Sequence, residues 1–283
     1  MRPIPCDARR WARLGAKLLA PLLLAALLPA CATLTVDEER QLGAEIAQEV
    51  RGELLFIRDA VVVDYVRAIG SKIVRAAGPQ PFEYRFAVIE DDEINAFTGP
   101  AGHIYIHTES ILRARNASEL AAVLAHEIGH GVLRHVAKSY GRSRSAGTLH
   151  QAGVLAASVF GYGGLANLGG GLAAMTVLNS FTRSEESEAD AFAVEMLPAA
   201  GYDPNGLLTF LEVVRDTGGP VAPAFLSSHP GTEDRVAEAA ALIAARPPTP
   251  GLRVTDRGRL EIIKRRIRLL TREVRPAGGR QPL

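Results

Sequence analysis

This 283-residue chain has little cysteine, few aromatic residues, no excess of charge and no long apolar run. Each shortage excludes something. Its two cysteines, Cys6 and Cys31, lie near the N-terminus; removal of a leader ending at residue 30 leaves one, so no internal disulfide can form. A net charge of +1, with +4 in the first thirty residues and −3 in the rest, gives no electrostatic footprint for nucleic acid. The apolar run Leu18–Leu28 is too short for a good membrane span. No internal repeat is present. Against these shortages, an apolar content of 47% supports a real core, and the length allows one large domain or two small ones.

The N-terminus reads as a secretory signal. Arg2, Arg9, Arg10, Arg13 and Lys17 precede the apolar run, and Pro29-Ala30-Cys31 follows it. Leu28-Pro29-Ala30-Cys31 resembles the bacterial lipobox, with Pro29 an unusual residue before the Ala. The expectation is a lipoprotein signal peptide over 1–30 and a lipid anchor on Cys31. Ala32 after it, rather than Asp, implies the outer membrane facing the periplasm. The alternative is ordinary cleavage after Ala30 or Ala32, giving a secreted, soluble periplasmic protein.

The chain is organised around Ala121–His135, AAVLAHEIGHGVLRH, in which His126, Glu127 and His130 form H-E-x-x-H. Residues four apart on an α-helix sit about 40° apart around the axis and one turn apart along it. Both imidazoles therefore reach one ion, with Glu127 close to a water bound there. Zinc suits such a site. The surrounding residues are apolar or small, so this helix is buried, and two His and a Glu buried without partners would cost several kcal/mol. A metal removes that cost.

Periodicity predicts helices over Asp37–Ala77, with a break near Arg58–Ala60, and over Glu109–Arg113, Thr182–Ala199, Leu207–Asp216, Thr232–Ala245 and Leu260–Val274. Strands are expected at Phe82–Glu90 and His103–Thr108, with Ile94–Gly102 a loop between them. Asn116 can cap the central helix, with Glu119 as its reciprocal partner. Gln151–Asn179 carries no charge and seven glycines and reads as a small-residue lid or broken helical pair. The expected domains are 31–245 and a Pro-rich linker with a basic C-terminal helix and tail over 246–283. The expected fold class is α+β, mainly helical, with the central helix packed on a small antiparallel sheet whose edge strand borders the site.

Two His do not complete a zinc site. The metzincin position six residues beyond His130 is Val136, so that pattern fails. Extrapolated along the helix, His135 faces away from His126 and reads as surface or supporting, not as a ligand. A carboxylate from a later helix is the other solution. In Glu186-Ser187-Glu188-Ala189-Asp190, Glu186 and Asp190 share one face, so Glu186 can bind the ion while Asp190 accepts the N–H of a ligand His and supports catalysis. Glu188 points nearly the other way. His103, His107 and His150 have no ligand spacing.

HEIGH followed by FTRSEESEADAFAV resembles the gluzincin zinc metallopeptidases related to HtpX and the CAAX prenyl endopeptidase, especially their soluble periplasmic members of the BepA and LoiP kind. INAFTGPAGHIYIHT, AAGYDPNG and SSHPGTEDRV extend the similarity from about Asp37 to Ala245. The resemblance implies Glu186 as the zinc ligand. It implies a substrate edge strand at His103, Ile104, Tyr105, Ile106 and His107, on which an extended peptide is added. For His229 it implies either approach to the metal, as a restraining fourth ligand, or help in binding substrate; for Arg235 it implies orientation of the Glu186–Asp190 region. The expected activity is zinc-dependent endopeptidase of the bacterial envelope with one Zn2+ per chain, acting on misfolded or unassembled outer-membrane and periplasmic proteins. Its expected partners are those substrates, the outer-membrane assembly machinery and the membrane through the lipid anchor. The alternative is a largely latent, chaperone-like assembly or quality-control factor.

Overall fold

A computed structural model describes residues 34–145, 175–176, 178–217, 225, 228–229 and 232–274. The leader, Cys31, His150 and most of the Gly-rich stretch lie outside the described residues.

Helix α1 (Val36–Glu53) starts at a capping box. Thr35 accepts the Glu38 N–H, Glu38 reaches back to the Thr35 N–H, and three acids occupy the first turn. The first helix ends before the expected break, at Glu53; a two-residue strand, β1 (Phe56–Ile57), follows, and Asp59 then caps α2 (Ala60–Ala76). The sheet continues with β2 (Arg85–Ile89), β3 (Ala96–Gly99) and β4 (His103–His107), in the order β1-β2-β4-β3. A 3-10 turn, Pro100–Gly102, joins β3 to β4, with Ala101 in the left-handed region at φ 57°.

Two expectations are corrected here. The sheet is mixed, not antiparallel: β2 and β4 run parallel, with Arg85 opposite His103 and Ile89 opposite His107. Nor is His103–His107 an edge. β4 has β2 on one side and β3 on the other, so its backbone groups are taken up by both neighbours and cannot receive an added peptide. The edge on this side is β3, formed by Ala96–Gly99 inside what reads as a loop.

The remaining helices are α3 (Thr108–Arg113), α4 (Ala117–Val132), α5 (His135–Ser145), α6 (Arg183–Ala199), α7 (Asn205–Thr217), α8 (Thr232–Ala244) and α9 (Arg259–Val274). Every residue of α4 from Ala117 to Gly131 is buried, as its composition requires. Its core partners include Val66 and Ile69 of α2, Ile104 and Ile106 of β4, Val194 and Leu197 of α6, and Phe210 of α7. Asn116 caps it by accepting the Glu119 N–H. Glu119, however, reaches the Arg115 N–H and guanidinium rather than closing the box on Asn116. The 246–256 stretch returns to α4, where Ser118 N–H donates to the Val254 carbonyl, and α9 buries Leu260, Ile263 and Ile267 in the same core. No helix among the described residues is long and apolar enough to cross a membrane.

Candidate metal centre

Helix α4 presents His126 and His130 with their Nε2 atoms 3.0 Å apart. Helix α6 crosses it closely because position 129 is glycine. A Cβ there would stand 3.0 Å from the Phe192 ring and 3.2–3.3 Å from the Ala189 backbone, so a side chain would fit only if these neighbours gave way. The close approach brings Glu186 to 3.4 Å from His126 Nε2 and 3.3 Å from His130 Nε2. His229 Nδ1 lies 3.0 and 3.1 Å from the two Glu186 oxygens and 3.2 Å from His126 Nε2. All four side chains are buried, and their ligand-type atoms lie within 4.8 Å of one another.

Their chemistry fits a cation. His126 Nδ1 is 2.8 Å from Asp190 Oδ1, an oxygen that can only accept, so Nδ1 carries the proton and the neutral ring turns its Nε2 lone pair inward. His130 Nδ1 is 2.9 Å from His135 Nδ1. Inward lone pairs on His126, His130 and Glu186 repel one another unless positive charge lies between them. Without a cation, the carboxylates beside His126 favour its protonated form, so positive charge is drawn to this spot either as a proton or as a metal ion. Burial lowers His126, but Asp190 and Glu186 outweigh it and raise it to about 9. Burial holds His130 well below its ordinary value. Burial raises Glu186, and His229, His126 and His130 overcome it and carry it well below the carboxylate range. The described residues thus form a buried group of three or four side chains able to hold a metal ion.

Around this set lies a ring of supports. Arg235 Nε and Nη2 donate to the two Asp190 oxygens at 2.7 and 2.9 Å, and its Nη1 lies 2.8 Å from Glu186 Oε2. Burial raises Asp190, but Arg235 and His126 outweigh it and hold the carboxyl at about 2. Phe181 stacks on the His130 ring at 3.9 Å between centroids, and Phe225 on His229 at 4.6 Å. Glu127 is fully buried beside the ligands. Thr98 Oγ1, on edge strand β3, is 2.7 Å from Glu127 Oε2. The other Glu127 oxygen has no hydrogen-bond partner and faces His229 Nε2, itself unpartnered, at 3.3 Å. A free carboxylate oxygen aimed at a metal set is placed to hold the proton of a water there.

Residues 63–243 match Peptidase family M48. The chain belongs to that family. It is similar to the beta-barrel assembly-enhancing protease of Escherichia coli K12, 33% identical over 214 residues, covering 73% of this chain and 44% of that protein. It is also similar to the mitochondrial metalloendopeptidase OMA1 of Schizosaccharomyces pombe, 28% identical, covering 71% of this chain and 60% of that one. Metalloprotease LoiP of E. coli is 27% identical over 156 residues, covering 55% and 60%. The M48 chain therefore spans under half the length of the assembly-enhancing proteases it matches.

In this M48 chain the structure brings together His126, Glu127, His130, Glu186, Asp190, His229 and Arg235. His103–His107 does not join them, since it lies inside the sheet. Of the two readings of His135, surface or supporting, the structure favours the second: it is fully buried, because the helix stops at Leu133 and Arg134 takes φ 56°, folding His135 back under His130. Glu188 is not idle either, since Oε2 lies 3.3 Å from His135 Nε2. Sequence reasoning missed Thr98, Phe181 and Phe225 as site residues. Thr98 sits inside the INAFTGPAG stretch; the two phenylalanines carry no chemistry-bearing signal.

Proposed function

We propose that the chain is a zinc-dependent endopeptidase of the bacterial envelope, acting on misfolded or unassembled outer-membrane and periplasmic proteins. The observation that carries this reading is Glu127, buried against the metal set with one oxygen tied to Thr98 and the other without a hydrogen bond, facing His229 Nε2 at 3.3 Å. His126, His130 and Glu186 would hold the zinc. Bound there, zinc supplies Lewis-acid polarisation of a scissile carbonyl and of an attacking water. Glu127 takes the water proton on its free oxygen and hands it to the leaving amine, while Thr98 fixes the other oxygen. Asp190 holds the His126 tautomer, and Arg235 holds Asp190 and Glu186. The edge of β3 is where an extended substrate would pair, beside Thr98 and hence beside Glu127. His229 Nε2 is a donor for the developing oxyanion once it leaves the ligand set. The leader at 1–30, the lipid on Cys31, the periplasmic face of the outer membrane and contact with its assembly machinery belong to the same proposal. They rest on the N-terminal sequence and on similarity to a protein named for beta-barrel assembly.

The test is cleavage of an unfolded protein by wild type and Glu127→Gln, with metal analysis of both. Activity in wild type alone, with zinc in both, supports the reading; equal activity sinks it. Full zinc occupancy in Glu186→Ala would overturn the ligand set. His229 favours a second reading, in which the protein is largely latent and acts as a chaperone-like factor, since His229 Nδ1 stands among the ligands at 3.0–3.2 Å. In that case Glu127→Gln would protect an aggregating client as well as wild type does.

A further inference from the structure

Beside β1, β2 and β4 the sheet carries a cavity of about 330 Å3, to which no metal-centre residue contributes. His103 and Tyr105 of β4 form its floor, their rings nearly parallel at 6.3 Å, and Phe56 of β1 tilts against Tyr105. Arg51 from the end of α1, Arg58 just beyond β1 and Arg85 of β2 also line it. The lining thus holds three guanidiniums, of which Arg85 already donates to Glu83 Oε2 at 2.8 Å, and no carboxylate among the described lining residues. Burial, with Arg85 and Arg51 nearby, pushes His103 down to about 4, so at neutral pH the floor is uncharged.

The backbone beside this cavity is half-paired. β1 sets Phe56 opposite Ile89 and Ile57 opposite Val88, then leaves the sheet. Among the described residues, Arg85, Phe86 and Ala87 of β2 have a strand neighbour only on the β4 side. An extended guest could lie along Arg85 and Phe86, but the chain leaving β1 blocks its path beyond them. A strand that enters must therefore end there. Continuing the β1–β2 register would set Arg58 opposite Ala87, at that closed end.

We propose that this cavity binds the C-terminal residue of an extended polypeptide. The free carboxylate lies on the guanidiniums of Arg51 and Arg58, Arg85 being held by Glu83, and an apolar or aromatic terminal side chain packs on Phe56 and Tyr105. Guanidinium forks match carboxylates bidentately. Strand addition supplies main-chain hydrogen bonds, and the alternating side chains supply selectivity. The volume, at the lower end of ligand-pocket sizes (roughly 300–1,000 Å3), fits one side chain with its carboxylate. The site is one of binding and stands whether or not the metal centre cleaves what is bound.

The test is fluorescence anisotropy with an N-terminally labelled hexapeptide of alternating Val and Thr ending in Phe. The full chain carries Glu127→Gln so that nothing is cut. The free acid should bind at least about tenfold more tightly than the C-terminal amide, the worth of a charge-assisted contact. Arg51→Gln and Arg58→Gln should each weaken the free acid about five- to tenfold and leave the thermal midpoint unchanged, since both side chains are exposed. Equal affinity for acid and amide would overturn the proposal. So would wild-type affinity in the double variant, tight binding of an amidated peptide with an internal Glu, or tighter binding of inorganic phosphate than of the free acid.

Discussion

His130 Nδ1 and His135 Nδ1 stand 2.9 Å apart, and His135 Nε2 reaches Glu188 at 3.3 Å. The order of acceptors sets the protons. Glu188 can only accept, so neutral His135 donates from Nε2 and receives the His130 Nδ1–H on its own Nδ1. Burial keeps His135 neutral, lowering its pKa. The chain Glu188–His135–His130 does for the second ligand what Asp190 does for the first.

His135→Phe keeps the ring volume but removes the acceptor. A partner of this kind is worth about 10–100-fold in metal affinity. Competition against a chromophoric chelator should show a loss in that range for His135→Phe and a smaller loss for Glu188→Gln, which retains an acceptor oxygen. Unchanged affinity in His135→Phe would mean that the contact does not set the His130 tautomer.

The helix carrying the two His and Glu127 is legible in sequence because its chemistry is local: a spacing of four residues fixes which side chains share a face. Glu186 and Asp190 are legible for the same reason. His135 is legible only as one of two readings, surface or supporting, because a helical projection fails where Arg134 adopts φ 56°. The edge strand is misread because sheet order is non-local. β3 is four residues long, bounded by Gly99 and Pro100, and only its pairing with β4 makes it a strand. The parallel pairing of β2 with β4 places His103–His107 inside the sheet, and no local pattern reports that. Arg235 and His229 come from chain segments whose placement depends on tertiary packing, and only the resemblance singled them out.

Arg235 is 3% exposed and neutralises two buried carboxylates, Asp190 and Glu186. Removing one member of a buried ionic network leaves its partners uncompensated, at a cost of about 3–5 kcal/mol. Arg235→Met should lower stability in urea by that order. The loss should be larger after chelation, because a bound cation takes over the neutralisation of Glu186. A loss below about 1 kcal/mol in the metal-free protein would remove Arg235 from its assigned role.

His103 gives the fold a pH dependence away from the metal. Its pKa falls from 6.5 to about 4, chiefly through burial. The unfolded chain binds a proton at this site between those values and the folded chain does not. Stability from His103 is therefore complete above pH 6.5 and is lost as pH falls towards 4. After allowance for solvent screening the loss is roughly 2 kcal/mol. Urea midpoints at several pH values should show that His103→Gln flattens this part of the profile. An identical slope in wild type and variant would assign the acid sensitivity to other groups.

Two glycines in helices should respond to alanine with opposite signs. Gly52 is exposed in α1, and a methyl added there would meet nothing within 4 Å, so Gly52→Ala should stabilise by about 0.5–1 kcal/mol through reduced chain entropy. At Gly129 the methyl would meet Phe192 at 3.0 Å and the Ala189 backbone at 3.2–3.3 Å. The ring can turn aside but the backbone of α6 cannot, so Gly129→Ala forces the helices apart at a cost of about 1–3 kcal/mol. The separation also withdraws Glu186, three residues before Ala189, from His126 and His130. Gly129→Ala should therefore lose metal affinity along with stability, and Gly52→Ala should not. Thermal midpoints with and without chelator separate the two effects. A destabilised Gly129→Ala that keeps wild-type metal affinity would show that α6 can shift without carrying Glu186 off the centre.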